Sequence, residues 1–267
     1  MLRDLFSYLG NLVKERRIIF ELAKRDFRVR YLGSYLGILW AFLQPAVFVF
    51  LLWFIFHLGF RSAPVKNMPY ILWLLPALIP WFFFSESLSS ATNALIDNSH
   101  IVKKVVFQVN ILPVIKIVSS LYVHLVFVGI LFVVYAASGR FSLPVFIHVA
   151  YYLSATILLV LGLSFFTASL VVFIRDVTQV IAILLNFGFW MTPIFWHVDL
   201  LPEKYQSLMR LNPVYYITEG YRNSFMQHAP TAAEPLWTLY FWAVVLITFV
   251  TGAMFFKRLK PHFADVL

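Results

Sequence analysis

The chain has 267 residues, of which 61% are hydrophobic and only 12% charged, and its mean hydropathy is +0.83. A soluble domain carries about 25% charged residues, and a chain this short builds no core able to hide so much apolar surface, so a water-soluble globular protein is excluded and lipid must cover the remainder. The 21 Lys and Arg against 12 Asp and Glu orient a membrane protein and meet anionic lipid rather than nucleic acid, and the lack of cysteine rules out disulfides and thiolate metal sites.

Residues 1–34 form the first unit. Leu2, Leu5, Phe6, Leu9, Leu12 and Val13 follow a helical stripe, and after Arg16 and Arg17 a second stripe follows with Ile19, Phe20, Ala23, Phe27 and Tyr31. Basic residues occupy the other face, which predicts an amphipathic helix lying on the cytoplasmic leaflet. The first apolar run begins only near Tyr35, behind these charges, and is too long for the core of a cleavable secretory signal.

Six segments are long and apolar enough to cross hydrocarbon, at about 35–60, 69–94, 113–137, 145–174, 178–197 and 235–256. They place an all-α, six-span integral membrane domain over residues 35–260, with 261–267 as a short cytoplasmic tail. The second span carries Pro76, Pro80 and Glu86. Prolines inside a span free backbone carbonyls, which is tolerated only where protein or a water-filled cavity satisfies them.

The basic residues divide unevenly. With both termini inside, fifteen lie in inner segments: Arg3, Lys14, Arg16, Arg17, Lys24, Arg25, Arg28, Arg30, Lys103, Lys104, Lys116, Arg175, Lys257, Arg258 and Lys260. Six lie in outer ones: Arg61, Lys66, Arg140, Lys204, Arg210 and Arg222. This bias predicts cytoplasmic N- and C-termini.

Two connections are unlike ordinary loops. The inner one between the second and third spans keeps Ile101, Val102, Val105, Val106, Phe107 and Val109 around Lys103 and Lys104. Exposed apolar side chains on a short loop mark a docking surface, or else dip into lipid. Pro113 follows, where a helix start makes its missing N–H harmless. The outer connection combines Pro193, Pro202 and Pro213 with Trp190, Trp196, Tyr205, Tyr215 and Tyr216. It is too apolar for a free loop and too broken for a span, so a re-entrant helix pair over about 198–234 is expected, or an interfacial aromatic belt.

Ionisable groups near the spans are few: Glu86, His124, Arg175 and Asp176. Arg175 and Asp176 read as an ion pair at headgroup level, whereas Glu86 either pairs with a basic residue or faces a cavity. The chain contains no P-loop, no H-E-x-x-H, no G-x-S-x-G, no paired-carboxylate cluster and no metal-type spacing among its seven His. A transporter without an energy source or an ion relay of its own is a permease driven by a partner protein.

The opening residues Arg30, Tyr31, Gly33, Ser34, Leu36, Gly37, Trp40 and Pro45 resemble the start of permease subunits of ABC-2 type exporters, most closely those exporting O-antigen and related cell-surface polysaccharides. Pro193-Ile194-Phe195-Trp196 followed by Asn212-Pro213 is similar to that family's region before its last span. The resemblance implies a homodimer joined by two copies of an ABC ATPase. It implies no cofactor in this chain, with ATP and Mg held by the ATPase. The substrate would be a lipid-linked glycan, typically on undecaprenyl diphosphate, moved across the bacterial inner membrane. Residues 101–107 would carry the helix that inserts into the ATPase, the interfacial segment would pack beside it, and the re-entrant pair would form the outer gate. There Trp190, Trp196, Tyr205, Tyr215 and Tyr216 would offer aromatic faces to sugar rings, in weak repeated contacts that suit a sliding polymer. Teichoic acid export uses the same architecture. A multispan acyltransferase or glycosyltransferase is the reading from another class, and it would need a catalytic acid or base at one membrane face, where none stands out.

A reporter fused after Leu267 is expected to read as cytoplasmic, and one inserted near Gln206 as external. Both reporting from the same side would refute the six-span map.

Overall fold

The computed structural model describes residues 15–31, 35–59, 68–103, 108–226 and 234–267, and the described residues form an all-helical bundle. The stripe at residues 2–13 lies outside them. Helix α1 spans Arg16–Tyr31. Its Ile19 and Ala23 are buried, and Phe27 packs edge-on against Tyr31 and Tyr122, so this face is covered by protein. Phe20 falls off the stripe and is exposed.

Helix α2 runs Gly37–Gly59, entering as a 3-10 turn and closing as a π-helical segment over Phe54–Gly59. Helix α3 spans Tyr70–Thr92, and α4 (Ala94–Asp97) and α5 (Ser99–Val102) are single turns behind it. Helices α6 (Ile111–Ala137) and α7 (Pro144–Val171) follow. Then come α8 (Val177–Met191), α9 (Glu203–Arg210), α10 (Pro213–Met226), α11 (Pro235–Leu259) and the final turn α12 (Phe263–Val266). Helices α2, α3, α6, α7 and α11 are long and apolar enough to cross a membrane. Pro113 sits at the third position of α6, where its missing N–H belongs to the first-turn donors that have no helical acceptor.

The fifth expected span, 178–197, is shorter than the hydropathy pattern implies. Helix α8 has 15 residues, a length of about 22 Å against a hydrocarbon core of about 30 Å. It stops because Thr192 precedes Pro193 and is pushed out of the helical region, to φ −79° and ψ 132°. Apolar residues continue to Trp196, but the helix does not.

Helix α3 is the centre of the bundle, packed against α6, α7, α8 and α10. It is apolar around its whole circumference and buries Trp73, Leu74, Ala77, Leu78, Phe83 and Phe84. Pro76 has no N–H to give the carbonyl of Leu72, and the Tyr135 hydroxyl donates to that carbonyl at 2.6 Å instead. Helices α7 and α11 cross in backbone contact at Gly162 and Gly252. A Cβ on Gly162 would lie 2.7 Å from the Phe249 nitrogen, and one on Gly252 would strike the Gly162 carbonyl. Small residues at such a crossing allow the close van der Waals packing that holds helices together in lipid.

The bundle has two distinct ends. At one lie α1, the end of α3 and the start of α6, joined by ion pairs, with Phe173 from beyond α7 against Phe263 of α12. The residues expected as a tail are thus helical, and Phe263 is buried. At the opposite end the starts of α3, α10 and α11 meet the end of α6.

Gly252→Leu is expected to force the α7–α11 crossing apart at a cost of about 1–3 kcal/mol, read as a lower melting temperature in detergent. Gly129→Leu, where an added Cβ meets nothing within 4 Å, is expected to leave melting unchanged.

Candidate transport groove and its two ends

A groove of about 790 Å³ runs between α2, α3, α6 and α8. Its walls are unequal. Helix α3 and α6 are anchored in the core, whereas α2 keeps Val47, Phe50, Leu51, Phe54 and Ile55 exposed, and α8 exposes Ile183, Leu184, Phe187 and Trp190. Phe48 of α2 reaches the core edge-on, against Phe82 and Phe189. The lining is aromatic, with Trp40, Trp81, Phe82, Phe127, Phe189 and Trp190, broken by Gln44, Ser85, Glu86 and Asn186. Flat apolar faces interspersed with amide and carboxylate groups match a hydroxylated ring, which has C–H faces and polar edges. His124 lines the groove too, but it is buried, with Nε2 3.1 Å from the Tyr221 hydroxyl and its ring against Phe83. It ties α6 to α10.

At the α1 end the groove meets Arg30, Tyr31 and Glu86. The Arg30 guanidinium pairs with Glu86, and Ser90 donates to the same carboxylate at 2.9 Å. Glu86 therefore both pairs with a base and faces the groove. Arg30 also reaches Asp26 at 3.4 Å, and Lys116 contacts Asp26 at 2.9 Å and Asp97 at 3.2 Å. Beside Asp97 lies the expected docking segment. Ile101 is half-buried, Val102 is buried and Lys103 exposed, and α5 touches α12. Lys104, Val105, Val106 and Phe107 lie outside the described residues. Arg175 and Asp176 are both exposed at the turn between α7 and α8.

At the opposite end the broken backbone after α8 is buried in protein. Thr192 N–H and Oγ1 both donate to the Gly188 carbonyl, and Asn212 Nδ2 donates to Thr192 Oγ1 at 2.9 Å. Trp196 Nε1 donates to the Trp190 carbonyl at 3.1 Å, and the Tyr70 hydroxyl to Phe195 at 2.8 Å. Of the carbonyls between them, those of Pro193 and Ile194 go to one side chain. Arg222 of α10 is 3% exposed and donates to Pro193 through both terminal nitrogens at 3.2 and 3.1 Å, and to Ile194 at 2.6 Å. Its Nε donates to Trp73 at 3.3 Å, Glu219 holds it at 2.5 Å, and the guanidinium lies 3.9 Å from the Trp73 ring centroid.

The expected gate residues separate here. Trp190 and Tyr205 are exposed, and Trp196, Pro213 and Tyr215 half-buried. Pro193 is buried under Arg222. Tyr216 is buried as well, its hydroxyl 2.9 Å from Tyr151 and 3.1 Å from Thr238 and its ring stacked on Phe241. Sequence reasoning counted Arg222 only as an outer charge. The available signal was Glu219 three residues before it, which puts both on one helical face within an apolar stretch.

A central helix carrying two prolines, an aromatic groove beside it and a short apolar helix that stops at Pro193 describe a multispan membrane protein. Residues 17–226 match the sequence profile described as ABC-2 type transporter, and the chain belongs to that family. It is 28% identical over 257 residues to the O-antigen export system permease protein RfbA of Klebsiella pneumoniae, covering 94% of this chain and 95% of that protein. The protein of the same name from Myxococcus xanthus is 27% identical over 99% of this chain and 98% of its own length. The polysialic acid transport protein KpsM of Escherichia coli is 24% identical over 76% and 78%.

Arg222→Met leaves the Pro193 and Ile194 carbonyls and Glu219 without their donor. A loss of about 3–5 kcal/mol is expected, seen as a melting temperature several degrees lower in detergent. Arg222→Lys is expected to recover only part, because an ammonium lacks the planar fork that spans both carbonyls. Full stability in Arg222→Met would show that the break is held by other contacts.

Proposed function

We propose that this chain is the permease subunit of an ATP-driven exporter that carries a lipid-linked cell-surface polysaccharide out across the bacterial inner membrane, with undecaprenyl diphosphate as the carrier. Family membership supports the transport class, and the names of the similar permeases, O-antigen export and polysialic acid transport, support the polymer class. The observation that carries the reading is the groove. One protomer builds only half of a conduit, since two walls are firm and the other two present bare apolar faces. A second copy facing it through α2 and α8 covers those faces and closes a path lined with aromatic rings.

Energy comes from outside the chain, which has no P-loop. Two copies of a partner ATPase, holding ATP and Mg, dock at the α1 end through the 101–107 segment. The N- and C-termini are cytoplasmic, which places the Arg222 break at the outer face and Arg30 and Glu86 at the inner mouth. Trp190, Trp196 and Tyr205 are the aromatics free to meet sugar at the outer end.

The test is to co-purify the permease with a P-loop ATPase encoded beside it and measure ATP hydrolysis in liposomes with and without the lipid-linked glycan. A stable complex stimulated severalfold by glycolipid is expected. No complex and no stimulation would sink the proposal. Within the complex, Trp40→Ala with Trp190→Ala is expected to lower export in a graded way, since each stacking contact is worth about 0.5–1.5 kcal/mol, while ATPase binding persists. Unchanged export in that double variant would place the path outside the groove.

A further inference from the structure

We propose that Lys116 is the positioning residue that fastens the ATPase-docking segment to the interfacial helix and, through it, to the mouth of the groove. The inference rests on the permease–ATPase reading above. Lys116 lies early in α6, the helix that follows the docking segment in the chain, and its side chain is only 12% exposed. Its ammonium sits between two carboxylates from different elements, Asp26 of α1 at 2.9 Å and Asp97 of α4 at 3.2 Å. A single carboxylate would neutralise a half-hidden lysine. The second one adds a mechanical link.

The link continues in both directions. On one side Asp97 closes α4, and α5 and the docking segment follow it immediately. On the other, Asp26 is shared with Arg30, and Arg30 is bound to Glu86, which lines the groove. Five side chains of alternating sign therefore run from the docking segment to the groove mouth, through α4, α6, α1 and α3. One joint, Lys116–Asp26, lies between the two least exposed members of the row, at 12% and 19%, where solvent weakens an ion pair least. An ordinary surface pair would hold nothing in place. Here a shift of the docking segment by an ångström or two must either break the Lys116–Asp97 contact or drag α1, and α1 carries the arginine at the groove mouth. Lys116 is the only member that touches both the docking side and α1.

The experiment uses the full-length permease with its ATPase in liposomes and reads export per ATP hydrolysed alongside complex affinity. Lys116→Met is expected to bind the ATPase and hydrolyse ATP like the parent, while export per ATP falls about tenfold. Lys116→Arg is expected to restore most of it. Asp97→Asn, at a half-exposed position that folding tolerates, is expected to lower the ratio on its own. Combined with Lys116→Met it should add nothing further, as members of one link do. A parental ratio in Asp97→Asn, additive losses in the pair, or no recovery in Lys116→Arg would overturn the proposal. If the parental permease itself neither binds nor stimulates the ATPase, the permease–ATPase reading falls, and this inference with it.

Discussion

A backbone carbonyl that faces hydrocarbon without a donor is the constraint on which this structure turns, because no water is present to satisfy it and each one costs several kcal/mol. A straight helix avoids the problem. At two of its departures from straight helix, Pro76 in α3 and the stop after α8, the described chain supplies donors from side chains. Tyr135 answers the carbonyl that Pro76 leaves open. Trp196, Arg222 and Tyr70 answer four of the carbonyls from Trp190 to Phe195. Both departures lie at the same end of the bundle, so that end is fastened by directional bonds between elements far apart in sequence.

The other end is held differently. Charged groups at partial exposure join α1, α3, α4 and α6, and such contacts yield more readily than buried hydrogen bonds. Between the ends lies the groove, whose firm walls belong to the core and whose loose walls do not. A transporter needs this division. In the exporter proposed above, the fastened end is the one that seals the membrane, the yielding end the one that meets the ATPase, and the exposed walls of α2 and α8 those that meet a second copy and the substrate.

Much of this was legible from sequence. Apolar runs placed five spans within a few residues, and Arg30 to Pro45 together with Pro193 to Pro213 pointed to the family. The length of α8 was overestimated because hydropathy continues through Ile194, Phe195 and Trp196, while the stop is written in the Thr192-Pro193 pair. Glu86 stayed ambiguous because its partner lies 56 residues earlier, on a different helix. Tyr216 looked like a gate aromatic, since composition does not distinguish a ring at the surface from one stacked in the core. Gly162 and Gly252 gave no local sign of their crossing, because closeness between two helices is a property of neither alone.

Arg222 also bears on the order in which the protein assembles. A guanidinium on an isolated helix at the bilayer centre costs about 2.5–3.5 kcal/mol even on permissive scales, and α10 carries Glu219 as well. The acceptors that make its burial favourable are Trp73, 149 residues upstream, and Pro193 and Ile194 before it. Until α3 and α8 stand side by side, α10 has nowhere to put its charge. Helix α10 therefore docks onto a bundle in which α3 and the stretch after α8 have already come together.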